Sequence, residues 1–314
     1  MVNLVKNEID IFNELAQLCT SPGYIHAIAF LCFSNNVVMF DDEPTTDKLA
    51  KIHSNDRLIR TEISTLVGLM LKKEIDYTIP KPIILQKYIE DTYRLLKELH
   101  QAIIAPSKDI FMDILQNNRD ENPFTKGVFL RESIFYAAES AYDFQYLDLF
   151  IKKYKNDNAW FLEKKNFEVE NIQTLIMCIV DIQQKKILEL GEKLLSIHPD
   201  FWTTMDIFSF TVDELIELTG FSRELISNIL EEFIVNTSNE RFKTIGDYNV
   251  INAKPFIKQD DNTYILFQHY ALLEAAYESP FFWFKEYDET YFKTTATKHR
   301  GDFTEDFSYE VLSN

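Results

Sequence analysis

Residues 85–103 read LQKYIEDTYRLLKELHQAI, and this stretch decides the fold class. Leu85, Tyr88, Ile89, Thr92, Leu95, Leu96, Leu99 and Ile103 recur at three- and four-residue spacing, which places them on one stripe of an α-helix. Ahead of it, Ile79-Pro80-Lys81-Pro82 reads as a rigid connector, because each proline fixes its own φ and pushes the preceding residue out of helical space. Pro106 is expected to end the helix. The same period returns in Ile172, Leu175, Ile176, Ile179, Ile182, Ile187, Leu190 and Leu194, a second long amphipathic helix stopping before Pro199. Its Lys185, Lys186, Glu189 and Glu192 form a solvated face. Working outward, residues 7–40 read as two helices broken at Ser21-Pro22-Gly23. A further helix is expected over about 54–72, with Ser54, Asn55 and Asp56 as candidate caps. Residues 133–150 read as an aromatic-rich helix, and 41–47 and 117–126 as loops. With only 7 Gly and 9 Pro in 314 residues, few turns are signalled by helix breakers. The expected fold class is mainly α.

From about residue 201 the texture changes. Thr211-Val212-Asp213-Glu214 is a capping start, Leu215, Ile216 and Leu218 give a short helix, and Gly220 suits its C-terminal end. A second helix follows through Leu225, Ile226, Ile229, Leu230 and Phe233, completing a helix-turn-helix outline. The runs 253–258 and 263–267 flank Gln259-Asp260-Asp261-Asn262 and read as a β hairpin. Together these are the pieces of a winged helix. The aromatic run Tyr277-Glu278-Ser279-Pro280-Phe281-Phe282-Trp283-Phe284 comes next. A last helix begins around Asp302. The expected organisation is a helical domain over 1–200, a winged-helix-like unit with the aromatic segment over 201–297, and a separate beginning at 298–314.

The formal net charge is −18, from 32 basic and 50 acidic residues. A field of that sign repels phosphate backbones and anionic lipid, which disfavours non-specific binding to either. The helix-turn-helix sharpens the point. Between Thr211 and Val235 it carries Asp213, Glu214, Glu217, Glu224, Glu231 and Glu232 against the single base Arg223. A recognition helix needs cations for phosphates and donors for base edges. The element therefore reads as structural or protein-binding, and no direct DNA binding is expected of it.

The hydrophobic fraction of 46%, with 26 Phe and 15 Tyr, is ample for buried cores and fits two or three packed units. Cys19, Cys32 and Cys178 all sit in apolar stretches and read as buried free thiols of a reducing compartment. No basic region followed by an apolar core opens the chain, and the longest apolar run, 25–33, is too short to span a bilayer. A cytoplasmic location with no membrane partner is the expectation.

Catalytic patterns are not found in the sequence. His26, His53, His100, His198, His269 and His299 never fall at i, i+3 or i, i+4 spacing, so no metal site is legible. Neither a nucleophile elbow nor a glycine-rich phosphate loop is present. Glu163-Lys164-Lys165 has the carboxylate-lysine order of a metal-dependent nuclease site but lacks the strand and upstream acid such a site needs. It reads as a solvated helix end. In the aromatic run, core packing outweighs an exposed interface. Phe281, Phe282 and Trp283, with Arg300, are the candidate partner-binding residues.

Several strings taken in order resemble a known family. These are Arg57-Leu58-Ile59-Arg60-Thr61-Glu62-Ile63, Gly68-Leu69-Met70, Glu74-Ile75-Asp76, Gln86-Lys87-Tyr88-Ile89-Glu90 and Glu98-Leu99-His100-Gln101-Ala102. They continue with Leu130-Arg131-Glu132-Ser133-Ile134-Phe135-Tyr136, Glu139-Ser140-Ala141-Tyr142, Glu274-Ala275-Ala276-Tyr277-Glu278-Ser279-Pro280-Phe281 and His299-Arg300-Gly301-Asp302-Phe303-Thr304-Glu305. The set resembles the N-terminal region of bacterial nuclease-related proteins, whose restriction-endonuclease-like (NERD-type) domain lies downstream. The resemblance implies that the His-Arg-Gly string opens the first helix of the nuclease domain and that Glu305 is at most an accessory acid. The metal-binding acids and lysine would stand on strands past Asn314, so a divalent metal is implied only with that downstream domain. The chain would then be a truncated piece, or one that has lost the nuclease. The resemblance implies a non-catalytic regulatory, recognition or assembly region, in defence against foreign DNA. The alternatives are a self-contained helical adaptor or oligomerisation protein and, disfavoured by charge, a transcription regulator. The expected partner is a protein or a second copy of the chain.

Overall fold

Asn7 starts the first helix, its side-chain carbonyl accepting the Asp10 amide hydrogen at 2.9 Å. That bond satisfies one of the donors a helix start leaves orphaned. The computed structural model describes residues 6–36, 58–116, 127, 135, 142–236 and 238–313. The expected loops at 41–47 and 117–126 and the caps Ser54, Asn55 and Asp56 lie outside the described residues. So do most of 133–141. The chain forms two compact units, each discontinuous in sequence. One comprises Met1–Glu139, Leu194–Met205 and Thr237–Asn249; the other comprises Ser140–Lys193, Asp206–Asn236 and Val250–Asn314. They cut the chain differently from a division at 200 and 297.

The first unit is built on α1 (Glu8–Cys19), α2 (Tyr24–Asn36), α3 (Arg60–Met70) and α4 (Pro82–Gln116). Gly23, at φ 72°, stands in the break expected between α1 and α2. The stripe Leu95, Leu96, Leu99 and Ile103 is buried as its spacing requires, beside Phe12, Leu15, Leu66 and Leu69. Proline opens α4 at Pro82, where the missing N–H has no intrahelical partner to lose.

Two expectations need correction here. Pro106 does not end α4; the helix runs through it to Gln116. The proline removes one hydrogen bond, but the buried stripe continues past it from Ile103 to Ile114, so apolar burial outweighs the break. In addition, α3 begins at Arg60, later than the sequence suggests. Glu62 folds back to accept the Ile59 amide hydrogen at 3.0 Å, and that bond sets the start.

Two asparagines join distant segments of this unit. Asn239 donates from Nδ2 to the Gly68 carbonyl (3.0 Å) and to Asn249 Oδ1 (3.0 Å), while Asn249 Nδ2 donates to the Ser64 carbonyl (2.8 Å). Gly68 allows this approach: a Cβ there would lie 2.6 Å from Asn249 Nδ2 and 2.7 Å from its Cγ.

The second unit contains α5 (Asp143–Tyr154), α6 (Asn158–Lys165), all but the last two residues of α7 (Val169–Leu195), α8 (Met205–Phe208) after its first residue, α9 (Val212–Thr219) and α10 (Arg223–Glu232). It continues with α11 (His269–Tyr287), α12 (Glu289–Tyr291) and α13 (Thr297–Ser313), with a π-helical segment, Phe292–Ala296, before α13. A small antiparallel sheet holds β1 (Ser209–Thr211), β2 (Ile257–Lys258) and β3 (Thr263–Ile265) in the order β1-β3-β2. Ser209 pairs with Ile265 and Thr211 with Thr263 on one side of β3; Ile257 pairs with Ile265 on the other. The hairpin stands where the sequence puts it. The strand β1 was not legible, because three residues running into a capping start are too few to establish a period. One core joins Phe161, Phe167, Ile172, Ile176, Phe210, Leu215, Ile229, Phe233, Phe256 and Phe284.

Candidate functional site

The two helices α9 and α10 start and stop as their caps dictate. Thr211 Oγ1 accepts the Glu214 amide hydrogen (3.1 Å) and Glu214 Oε2 accepts that of Thr211 (2.7 Å), a reciprocal capping box. Gly220 closes α9 at φ 69°, which a residue with a side chain adopts only with strain. Ser222 Oγ caps α10 through the Leu225 amide (3.2 Å). Ile226, Ile229, Leu230 and Phe233 are buried with Leu215 and Phe256, and Leu225 packs at the edge of that core.

Charge on this element is largely tied up internally. Arg223 donates to Asp213 and, at 3.3 Å, to Asn262 Oδ1 of the hairpin. Lys186 pairs with Glu214 at 2.9 Å, and the covered Lys165 with Glu232 at 2.7 Å. Glu224 and Glu231 are left exposed on α10. Burial pushes Lys165 below the ordinary lysine range, opposed by Glu232.

A cluster of charged and aromatic groups lies where α5 meets α11 and the segment after it. Pro280 sits inside α11 and lacks the N–H that would bond the Ala276 carbonyl. At this opened turn two side chains of α5 enter the helix ladder. Lys153 Nζ donates to the Tyr277 carbonyl at 2.6 Å and Tyr154 Oη donates to the same oxygen at 2.8 Å. Such an inserted side chain is a recognised cause of a kink, and the helix here continues through it to Tyr287. Lys153 also lies 3.5 Å from Glu278 and 3.5 Å from the centre of the Tyr277 ring. Its side chain is 0% exposed, and burial brings its ammonium down to about 7, against the opposing pull of Glu278.

Next to it, Asp157 is buried. It accepts from the Tyr291 hydroxyl at 2.7 Å and pairs with His299 Nδ1 at 2.7 Å. Burial raises its carboxyl above the usual range, and both partners oppose the shift. Burial and Asp157 together raise the Tyr291 phenol. Trp160 Nε1 and Arg300 Nη1 are occluded and without a hydrogen-bond partner among the described residues. This constellation holds helices together. The covered lysine has no exposed face from which to attack a substrate.

The four residues singled out for partner binding divide by position. Trp283 is buried against Phe161, Phe167 and Phe233, so core packing takes it off the surface. Phe281 is half-buried, 4.9 Å from the Phe292 ring, with the Arg300 guanidinium 5.1 Å from its centre. Phe282 is 62% exposed. Arg300 is half-buried and meets Glu278 at 3.4 Å. Glu305 is exposed on α13.

Glu163, Lys164 and Lys165 end α6: Glu163 pairs with its neighbour Lys164 at 2.8 Å, while Lys165 turns inward to Glu232. His26 is a satisfied core histidine. Its Nε2–H donates to the Tyr77 carbonyl (3.0 Å), which leaves Nδ1 to accept from Thr203 (2.7 Å), and burial lowers its pKa. His53 lies outside the described residues. Cys19 and Cys32 are buried free thiols, Cys19 pushed up to about 12 by burial, and Cys178 is half-buried. Among the described residues no group of three or more His, Cys, Asp or Glu is placed to hold a metal ion, and no single helix is long and apolar enough to cross a membrane.

Sequence reasoning missed Lys153, Tyr154 and Asp157. Nothing in the stretch Lys152-Lys153-Tyr154 marks these residues, because the carbonyl they bond belongs to a segment more than 120 residues away. Compared with protein-family models, with curated proteins and with solved structures, the chain matches none.

Proposed function

We propose that this chain is a non-catalytic recognition or assembly region of a nuclease-related protein, and that its helix-turn-helix with hairpin is a winged-helix-like unit that docks protein rather than reading DNA. The element order α8-β1-α9-α10-β2-β3 with sheet order β1-β3-β2 supports the winged-helix reading. The observation that carries the functional reading is the state of Arg223. The one cation of the two helices is held by Asp213 and Asn262, while Glu224 and Glu231 face solvent beside it. Each phosphate contact draws its energy from a free cation and the counterions it releases. Here a duplex would meet carboxylates instead.

Fluorescence anisotropy with random and defined duplexes at two salt concentrations tests this. No submicromolar binding is expected at physiological salt. Submicromolar affinity with a steep salt slope, weakened by Arg223→Ala, would overturn the reading. With magnesium or manganese, the same protein is expected to leave DNA and RNA uncut; cleavage abolished at Glu163 or Glu305 would show a nuclease site. In this reading a divalent metal belongs to a downstream nuclease domain, the partner is a protein or a second copy of the chain, and the setting is cytoplasmic defence against foreign DNA.

A further inference from the structure

The helix α13 differs from its neighbours in what holds it. No residue of α13 is buried, whereas α11 buries Leu272, Leu273, Ala275, Ala276, Trp283 and Phe284. Phe303 and Phe307 stack on each other, 6.0 Å apart and 10° from parallel, and Phe307, Tyr309, Val311 and Leu312 stay exposed. What ties α13 to its unit is mostly polar, beside the Arg300 guanidinium lying 5.1 Å from the centre of the Phe281 ring. His299 Nδ1 meets Asp157 Oδ1 at 2.7 Å, Arg300 Nη2 meets Glu278 Oε2 at 3.4 Å, and Glu310 Oε1 meets Lys152 Nζ at 3.5 Å. The Glu310–Lys152 pair is the longest and most exposed of the three, a setting in which an ion pair contributes little. Glu278 is moreover shared with Lys153. Just before α13 the backbone already leaves the α ladder in the π segment Phe292–Ala296, an irregularity that often marks a functional position in a helix.

We propose that α13 is a releasable helix, latched to its unit by His299–Asp157 and Arg300–Glu278 and hinged at Phe292–Ala296. Apolar burial, which normally fixes a helix to a domain, is missing along it, so the two polar ties decide how much of the time it is docked. Release frees Arg300 and Glu278 from each other and exposes the half-buried Phe303 further. A detached segment of 17 residues containing Gly301 is a marginal helix in water, so detachment and loss of helical hydrogen bonds go together. The proposal is independent of the nuclease-related reading, since it uses only contacts within one unit.

Amide hydrogen exchange on the 314-residue protein tests it, read as peptides covering 302–313 and, as internal reference, 271–284. In the parent protein the α13 amides should exchange at least 100-fold faster than those of α11. The double variant His299→Ala/Arg300→Ala should speed the α13 amides about tenfold more and leave the α11 amides unchanged; Asp157 keeps its bond to Tyr291 in that variant. Raising the salt concentration should act in the same direction through the Arg300–Glu278 pair. Parent α13 amides as slow as those of α11 would overturn the proposal. An unchanged α13 rate in the double variant would overturn it as well, and so would α11 amides that accelerate equally, since that reports global loosening rather than a latch.

Discussion

Gly68→Ala is expected to destabilise the protein by on the order of 2–4 kcal/mol, although helix propensity alone argues the other way. Gly68 lies inside α3, where exchanging glycine for alanine ordinarily gains about 1 kcal/mol. The new Cβ, however, would come within 2.7 Å of Asn249 Cγ and closer to its amide atoms. That amide is not a loose side-chain tip. It is buried, donating to the Ser64 carbonyl and accepting from Asn239, which in turn bonds the Gly68 carbonyl. Moving it leaves buried donors and acceptors unpaired, at about 1–3 kcal/mol each. Thermal and urea unfolding of the variant measure the effect. The double variant Gly68→Ala/Asn249→Ala is expected to lose clearly less than the sum of the two single losses, because the methyl group then enters vacated space. Unchanged or raised stability in Gly68→Ala, or strict additivity in the double variant, would refute the packing account.

Lys153→Met is expected to stabilise the protein at pH 6 by about 1–3 kcal/mol, with the gain shrinking as pH rises towards 10. The buried ammonium titrates near 7, against an ordinary value of 10.5. Below 7 both folded and unfolded chains hold the proton, so the penalty of burying the charge is fully present. Between 7 and 10.5 the unfolded chain binds a proton that the folded chain lacks, so stability rises with pH through that window and levels off above it. The full span corresponds to roughly 4–5 kcal/mol at 1.36 kcal/mol per pH unit, an upper bound because Glu278 and Arg300 are themselves half-exposed. Methionine removes the charge and fills similar volume. The Tyr277 carbonyl keeps its bond from Tyr154, and Glu278 keeps Arg300. Urea unfolding of parent and variant at pH 6, 7.5 and 9 decides the matter: parallel pH profiles would show that Lys153 is not the titrating group.

The helical class, the stripes of α4 and α7, the break at Ser21-Pro22-Gly23, the capping box at Thr211 and Glu214, the Gly220 turn and the hairpin over 257–265 were all legible in the chain. Each rests on short-range physics: a period of three to four residues, a cap that reaches three residues on, or a backbone angle that glycine adopts freely. The acidity around Arg223 was legible for the same reason, since charge needs no fold to be counted. The remaining features depend on contacts between segments far apart in the chain. Pro106 and Pro280 both lie inside helices, because burial of the surrounding apolar faces outweighs one missing hydrogen bond. Trp283 went to the core and Phe282 to the surface, a choice set by the direction each takes around α11 and by what packs there. Lys153, Tyr154, Asp157 and His299 carry no mark of their role in the chain, because the groups they bond lie 123 to 142 residues away. Their low-dielectric surroundings, and hence the titration of Lys153 near neutrality, exist only once those distant segments have closed around them.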